Sequence, residues 1–246
     1  MSKELTIVIL AGGLGKRMNS EIPKVLHLIS NKPMLIHIIE EARLLHPEKI
    51  FIVVGKYKNI ITTELQKYTK VDDIEYIIQP EPLGTGHAVQ CCKQELVKCN
   101  NTNVIILSGD VPLIKSSTIS TFLTTCDKVS IITTILENPK GYGRIIEDNN
   151  KFMKIIEEKD CNEHEKLVTK VNCGIYAFDS AILCKYIDNL SNNNSQNEYY
   201  LTDIIQIIKQ SENVNINMYE ICKEKQHEVM GINTIEQLDE LREIAQ

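Results

Sequence analysis

The sequence predicts an α/β fold: a mixed, mainly parallel sheet with helices on both faces, plus a small antiparallel lobe. Three observations lead there. The first half alternates short β-branched runs with longer amphipathic stretches, turn residues separate the two kinds of segment, and a hairpin pattern enters only in the second half.

The apolar runs at 5–10, 50–54, 74–78 and 104–107 are bounded by polar or turn residues, which is how strands buried on both faces read. Between them, 34–45, 58–68 and 85–98 carry apolar residues at helical spacing. Such alternation makes βαβ units and a parallel sheet. Further on, 129–136 reads as a strand, and 144–147 with 152–157 as a hairpin around Asp148-Asn149-Asn150. A strand at 171–178 precedes a helix running to residue 190, and the Asn-rich run 191–197 is a loop before a helix near 198–209. A last helix begins at about Thr234, with Thr234 and Gln237 spaced as a capping box. No internal repeat or long linker divides the chain. The expected organisation is one domain over 1–246, with a first half to about residue 112, a second to about 233, and the helix 234–246.

A length of 246 residues suffices for a core that folds without staples. The net charge of -6 argues against a partner whose many phosphates must be neutralised, so no nucleic acid is expected. No apolar run is long enough to span a bilayer, and the N-terminus lacks a signal-peptide layout. None of the eight cysteines forms a Cys-x-x-Cys pair; Cys161-Asn162-Glu163-His164 is the nearest approach to a zinc-ligand spacing. Free thiols in a large core fit a reducing compartment, and the expected location is cytoplasmic.

The first predicted strand feeds into Leu10-Ala11-Gly12-Gly13-Leu14-Gly15-Lys16-Arg17. A glycine-rich turn at the C-terminal end of a parallel strand lets backbone N–H groups approach phosphate oxygens. The Walker A and dinucleotide spacings both fail: Arg17 follows Lys16 where Ser or Thr is needed, and Met18 stands at the third-glycine position. Cations at Arg17 and Lys24 are placed to neutralise charge on a leaving pyrophosphate. An isolated Gly-Lys-Arg reads as a solvated basic turn; the rest of the chain decides between the two.

That turn, with Pro23-Lys24-Val25-Leu26 after it, resembles the opening of the sugar-phosphate nucleotidyltransferases. The detailed likeness is to the uridylyltransferase domain of the bacterial bifunctional enzymes that also transfer acetyl groups. It continues in Gln79, Leu83-Gly84-Thr85-Gly86-His87-Ala88, Gly109-Asp110-Val111-Pro112-Leu113 and Gly141-Tyr142-Gly143-Arg144-Ile145. It extends through Glu157-x-Lys159-Asp160, Asn172-Cys173-Gly174-Ile175, the stretch from Asn194 to Asp203, and Gly231-Ile232-Asn233. Each segment alone is moderately specific; eight in order span nearly the whole chain.

The resemblance implies the Rossmann-like fold of nucleotide-diphospho-sugar transferases, with UTP and N-acetylglucosamine 1-phosphate as substrates and Mg²⁺ as cofactor. By its residue correspondence, Leu10, Ala11, Gly12, Gly13 and Gly109 contact the nucleotide, while Gln79, Gly84 and Thr85 read the base. Arg17 and Lys24 are catalytic, Asp110 and Asn233 hold the metal, and Gly143, Glu157 and Asn172 bind the N-acetyl sugar. The chain departs from the family at Ser108, where tyrosine is usual, and at Cys173, where threonine is usual. The block Glu198 to Asp203 either touches the sugar or braces its pocket. The chain ends about where the relatives' acetyltransferase β-helix begins, so a single activity and a monomer or dimer are expected. Other sugar 1-phosphates such as glucose 1-phosphate, or an inactive nucleotide-sugar-binding regulator, are the alternative readings.

Overall fold

A computed structural model describes residues 4–13, 18, 20, 22–99 and 102–244. Its elements follow the predicted alternation. Strand β1 (Glu4–Leu10) is followed by a short antiparallel pair, β2 (Leu28–Ile29) and β3 (Lys32–Pro33), and by α1 (Met34–Arg43). Then come β4 (Lys49–Val54), α2 (Lys58–Leu65), β5 (Ile74–Ile78), α3 (Thr85–Lys98) and β6 (Thr102–Ser108). The second half holds α4 (Ser116–Thr124), β7 (Val129–Ile135), β8 (Arg144–Asp148), β9 (Lys151–Ile156), β10 (Lys170–Asp179) and α5 (Ser180–Tyr186). It closes with α6 (Leu201–Glu212), β11 (Asn217–Ile221) and α7 (Ile235–Ile244).

The main sheet runs β11-β7-β10-β6-β1-β4-β5. Strands β5, β4, β1 and β6 are parallel, whereas β10 is antiparallel to both β6 and β7. The β8–β9 hairpin turns through Asn149 and Asn150, both at positive φ, a conformation asparagine tolerates in tight turns. It joins the same sheet where Arg144 lies opposite Val171. The expected antiparallel lobe is this hairpin, supplemented by the separate β2–β3 pair.

Both faces of the parallel strands are covered, as their continuous apolar sequences require. Ile7 and Ile9 of β1 face one core layer with Leu35 and Ile39 of α1, Ile61 of α2 and Phe122 of α4. Val8 between them faces the other, with Val89 and Cys92 of α3, Leu183 of α5 and Ile204 of α6. A third, smaller cluster joins Met18, Met34 and Leu113 to Ile232, Leu238 and Leu241. The predicted capping box is formed: Gln237 N–H donates to Thr234 Oγ1, and Gln237 Oε1 accepts from Thr234 N–H. The helix expected near residue 198 begins at Leu201. Strand β11, helix α4 and the β2–β3 pair come from the structure alone.

Candidate active site

The four parallel strands β1, β4, β5 and β6 end on one cleft. Gly12 and Gly13 follow β1, Gly55 follows β4, Gln79 follows β5, and Gly109-Asp110 follows β6. Chain order reverses between β1 and β6, since β4 and β5 lie on one side of β1 and β6 on the other. Open α/β sheets bind ligands at such a switch point. Here the two strand ends are tied, with Gly109 N–H donating to the Leu10 carbonyl at 2.9 Å. A Cβ on Gly109 would fall 2.4 Å from that same oxygen, so the close approach requires glycine.

Three hollows meet along the cleft. The first is lined by Leu10, Gly12, Gly13, Gln79, Gly84, Thr85, Gly109 and Asp110. The second continues from Gly12, Gly13 and Lys24 past Lys56, Tyr57 and Lys159. The third opens from Asp110 and Asn233 into Gly143, Glu157, Asn172 and Tyr176. Asp110 therefore lies on the wall between the first and third.

The side chains at this junction form one linked group. Lys24, held buried in a single turn of 3-10 helix, donates through Nζ to Asp110 Oδ2 at 2.6 Å and to Asn233 Oδ1 at 2.9 Å. Ser108 Oγ donates to the other carboxylate oxygen, Oδ1, at 2.6 Å. Enclosure opposes ionisation of Asp110, but the Lys24 charge and the two hydrogen bonds outweigh it and hold the carboxyl below its ordinary range. Residues 24, 110 and 233 thus meet across more than two hundred positions of sequence. A carboxylate and an amide oxygen converging on one ammonium is also the donor chemistry that suits a hard divalent cation. Among the described residues, no three His, Cys, Asp or Glu side chains could hold a metal ion by themselves. Such an ion needs further oxygens from elsewhere.

In the first hollow, the turn before α3 is built on backbone contacts. Gly86 N–H donates to the Tyr199 carbonyl at 2.7 Å, and Tyr199 N–H to the Leu83 carbonyl at 2.8 Å. Gly84 sits at φ +109°, and a Cβ there would lie 2.6 Å from the Tyr199 carbonyl oxygen. Gln79 is buried, and its amide donates to the Gly84 carbonyl at 3.0 Å. Its Oε1 lies close enough to Gly12 that an added Cβ would approach it to 3.0 Å. Thr85 Oγ1 accepts from Leu201 N–H at 3.1 Å, so this hydroxyl also satisfies the free N-terminus of α6.

The third hollow is made by side chains. Strand β10 shifts register between Asn172 and Tyr176, with Gly174 at φ +71° in the bulge. The bulge turns Asn172 Nδ2 onto the Tyr176 hydroxyl at 2.7 Å. Glu157, at the end of β9, accepts from Thr202 Oγ1 at 3.0 Å. Burial pushes the Glu157 carboxyl up; the Thr202 bond works against that, and the nearby charges of Asp203, Asp160 and Glu198 add to it. Tyr142 accepts from Gly231 N–H at 3.1 Å, and burial raises its phenol to about 12, so it stays neutral.

Of the described residues singled out from the sequence for this site, all but Ala11 line the three hollows. Ala11 is instead packed in the core, its N–H donating to the Val53 carbonyl. Arg17 and its neighbour Lys16 lie outside the described residues. Sequence reasoning missed Tyr142, Tyr176 and Thr202 as individual contributors. Thr202 stood in a block with two open readings, and its bond to Glu157 supports the bracing one. Ser108 was noticed only as a departure. It takes part through a hydroxyl bonded to Asp110.

This chain belongs to the nucleotidyl transferase family, whose family model matches residues 6–224. Across 250 residues it is 45% identical to a protein of Acanthamoeba polyphaga mimivirus named "Probable UDP-N-acetylglucosamine pyrophosphorylase", covering 100% of this chain and 98% of that one. It is 41% identical over 241 residues to the "Bifunctional protein GlmU" of Clostridium botulinum, covering 96% of this chain and 51% of that protein. The chain thus spans about half the length of the bifunctional relatives. Among solved structures, a UDP-glucose pyrophosphorylase complexed with UDP-glucose superposes with a TM-score of 0.75 at 18% identity, covering 99% of this chain and 98% of that one. That likeness concerns the fold. Among the described residues, no helix is long and apolar enough to cross a membrane.

Proposed function

We propose that this protein is a UDP-N-acetylglucosamine pyrophosphorylase, transferring UMP from UTP to N-acetylglucosamine 1-phosphate and releasing pyrophosphate. The observation that carries the reading is the Lys24–Asp110–Asn233 group, set between a backbone-lined hollow and a polar, side-chain-lined one. A transferase joining a nucleotide to a sugar phosphate needs such a junction, with each substrate entering from its own side. The name of the mimivirus relative supports this reading, since it gives UDP-N-acetylglucosamine as the nucleotide sugar.

In this reading an oxygen of the sugar 1-phosphate attacks the α-phosphorus of UTP. The new P–O bond forms as the bond to the β-phosphate bridging oxygen breaks, and pyrophosphate carries away that electron pair. Alignment and charge neutralisation dominate such a reaction, and no protein nucleophile is required. Gln79, Gly84 and Thr85 hold the base. Leu10, Gly12, Gly13 and Gly109 line the path of the ribose and phosphates, and Arg17 is assigned from its sequence position a share in neutralising their charge. Glu157, Asn172 and Gly143 receive the N-acetyl sugar through acceptors, donors and open space. Lys24 neutralises charge as pyrophosphate departs.

Asp110 and Asn233 would hold Mg²⁺, with phosphate oxygens completing its shell. When bound, the ion supplies charge neutralisation on the phosphates. Lys24 bonds both proposed ligands, so it exchanges partners from carboxylate to phosphate as substrates enter. The test is a panel of nucleoside triphosphates against sugar 1-phosphates, read by pyrophosphate release with Mg²⁺ present. UTP with N-acetylglucosamine 1-phosphate is expected to be the best pair. Faster release with glucose 1-phosphate would replace the sugar assignment. Ligand binding with no release from any pair would make the protein a nucleotide-sugar-binding regulator.

A further inference from the structure

The segment carrying Asn233 has no regular structure before α7, so its place depends on what grips it. Ile232 N–H donates to the Asp110 carbonyl at 2.8 Å. Gly231 N–H donates to the Tyr142 phenol oxygen at 3.1 Å, and Asn233 N–H to Gln237 Oε1 at 2.7 Å. One grip comes from Asp110 itself and one from Gln237 in the first turn of α7. The remaining one, Tyr142, comes from the turn between Gly141 and Gly143.

Tyr142 stands between Gly141 and Gly143 on the wall of the sugar-side hollow. Its turn is itself clamped. Arg144, 2% exposed, donates to the Tyr142 carbonyl and to Glu158 Oε2, and that same oxygen accepts from Gly141 N–H. The turn is therefore fixed from the sugar side, and its hydroxyl ends on the segment that presents Asn233.

We infer that Tyr142 is a positioning residue that acts through Gly231 to set Asn233 opposite Asp110, linking the sugar-side turn to the cation position. The inference rests on the reading of Asp110 and Asn233 as cation ligands. Gly231 is buried, and removal of its acceptor leaves an amide without a partner there. Groups that orient metal ligands typically matter by about 10- to 100-fold in metal affinity.

Tyr142→Phe keeps the ring and removes only the acceptor. Protein-bound Mn²⁺ is measured by electron paramagnetic resonance with UDP-N-acetylglucosamine present, where its spectrum separates it from nucleotide-held Mn²⁺. The variant is expected to bind Mn²⁺ about tenfold more weakly. Its melting temperature is expected to fall by only a few degrees, the cost of one unpaired amide, and its KM for UTP at saturating metal to stay unchanged. Asp110→Asn is the reference and is expected to lose the bound signal. If Asp110→Asn loses it and Tyr142→Phe binds as wild type, the positioning role is overturned while the metal reading stands. If Asp110→Asn binds Mn²⁺ normally, the metal reading falls and the positioning role falls with it. If Tyr142→Phe loses Mn²⁺ and UTP affinity together and its melting temperature falls by more than those few degrees, Tyr142 is a packing residue and the inference is overturned.

Discussion

The two halves of the cleft are built by different means. The hollow beside β1 and β6 is made of main chain: strand ends, glycine turns and the backbone pairing of Leu83 and Gly86 with Tyr199. The hollow beyond Asp110 is shaped by side-chain hydrogen bonds: Asn172 donates to Tyr176, Thr202 donates to Glu157, and Tyr142 accepts from the Gly231 backbone. Main-chain geometry is insensitive to most substitutions and fails only where an added Cβ cannot fit. A side-chain network changes with each member. The contrast predicts a nucleotide site that is rigid and general, facing a sugar site that is tunable.

The largest effect is expected where the halves meet. Asp110→Ala should cut turnover on the order of 10³-fold, as several kcal/mol of charge stabilisation are lost. Pyrophosphate release measures it, and activity close to wild type would move the chemistry away from this junction. Lys24→Ala comes next, with turnover reduced by more than about tenfold and an unchanged circular dichroism spectrum. Gly84→Ala probes the main-chain half. Positive φ and the Tyr199 carbonyl both oppose the new methyl, so a stability loss of roughly 1–3 kcal/mol is expected in denaturant titration. A neutral outcome there would break the claim that this half is backbone-limited.

The smallest effect probes the side-chain half. The folded protein holds the Glu157 carboxyl above its ordinary range. Its protonated form is therefore the one favoured by folding. The contribution is complete below the unfolded value of about 4.3 and is lost as pH rises through the folded value. Glu157→Gln, neutral at every pH, should melt slightly above wild type at neutral pH, with the gap closing toward acid. Melting curves across pH check the sign, and a variant less stable at neutral pH would contradict it. The same substitution should raise KM for the sugar phosphate while leaving that for UTP unchanged.

The backbone-lined half was the more legible in sequence, for the same reason. Parallel strands buried on both faces leave uninterrupted apolar runs, and turns that approach a ligand closely demand glycines at set places. Gly12, Gly84 and Gly109 are visible as letters. The side-chain-lined half hides its geometry. The register shift between Asn172 and Tyr176 is a feature of pairing with β7, and no local pattern announces that Tyr176 will face Asn172. Strand β11 escaped because Asn217–Ile221 has a mixed burial pattern and gains its partner, β7, only in three dimensions. Ser108 read only as a departure from the usual tyrosine, yet its hydroxyl donates to Asp110.

The small cluster that joins Met18 and Met34 to Leu238 and Leu241 has a practical meaning. It fastens α7 against the stretch between β1 and α1, so segments far apart in sequence share one foundation. Damage at the tail is then felt at the head. A protease nick or premature stop ahead of Asn233 would spare most of the sheet while detaching the residue that bonds Lys24 across the cleft. Such fragments would keep much of their secondary structure and still be silent in an activity screen, so solubility alone is a poor guide to whether a shortened form works.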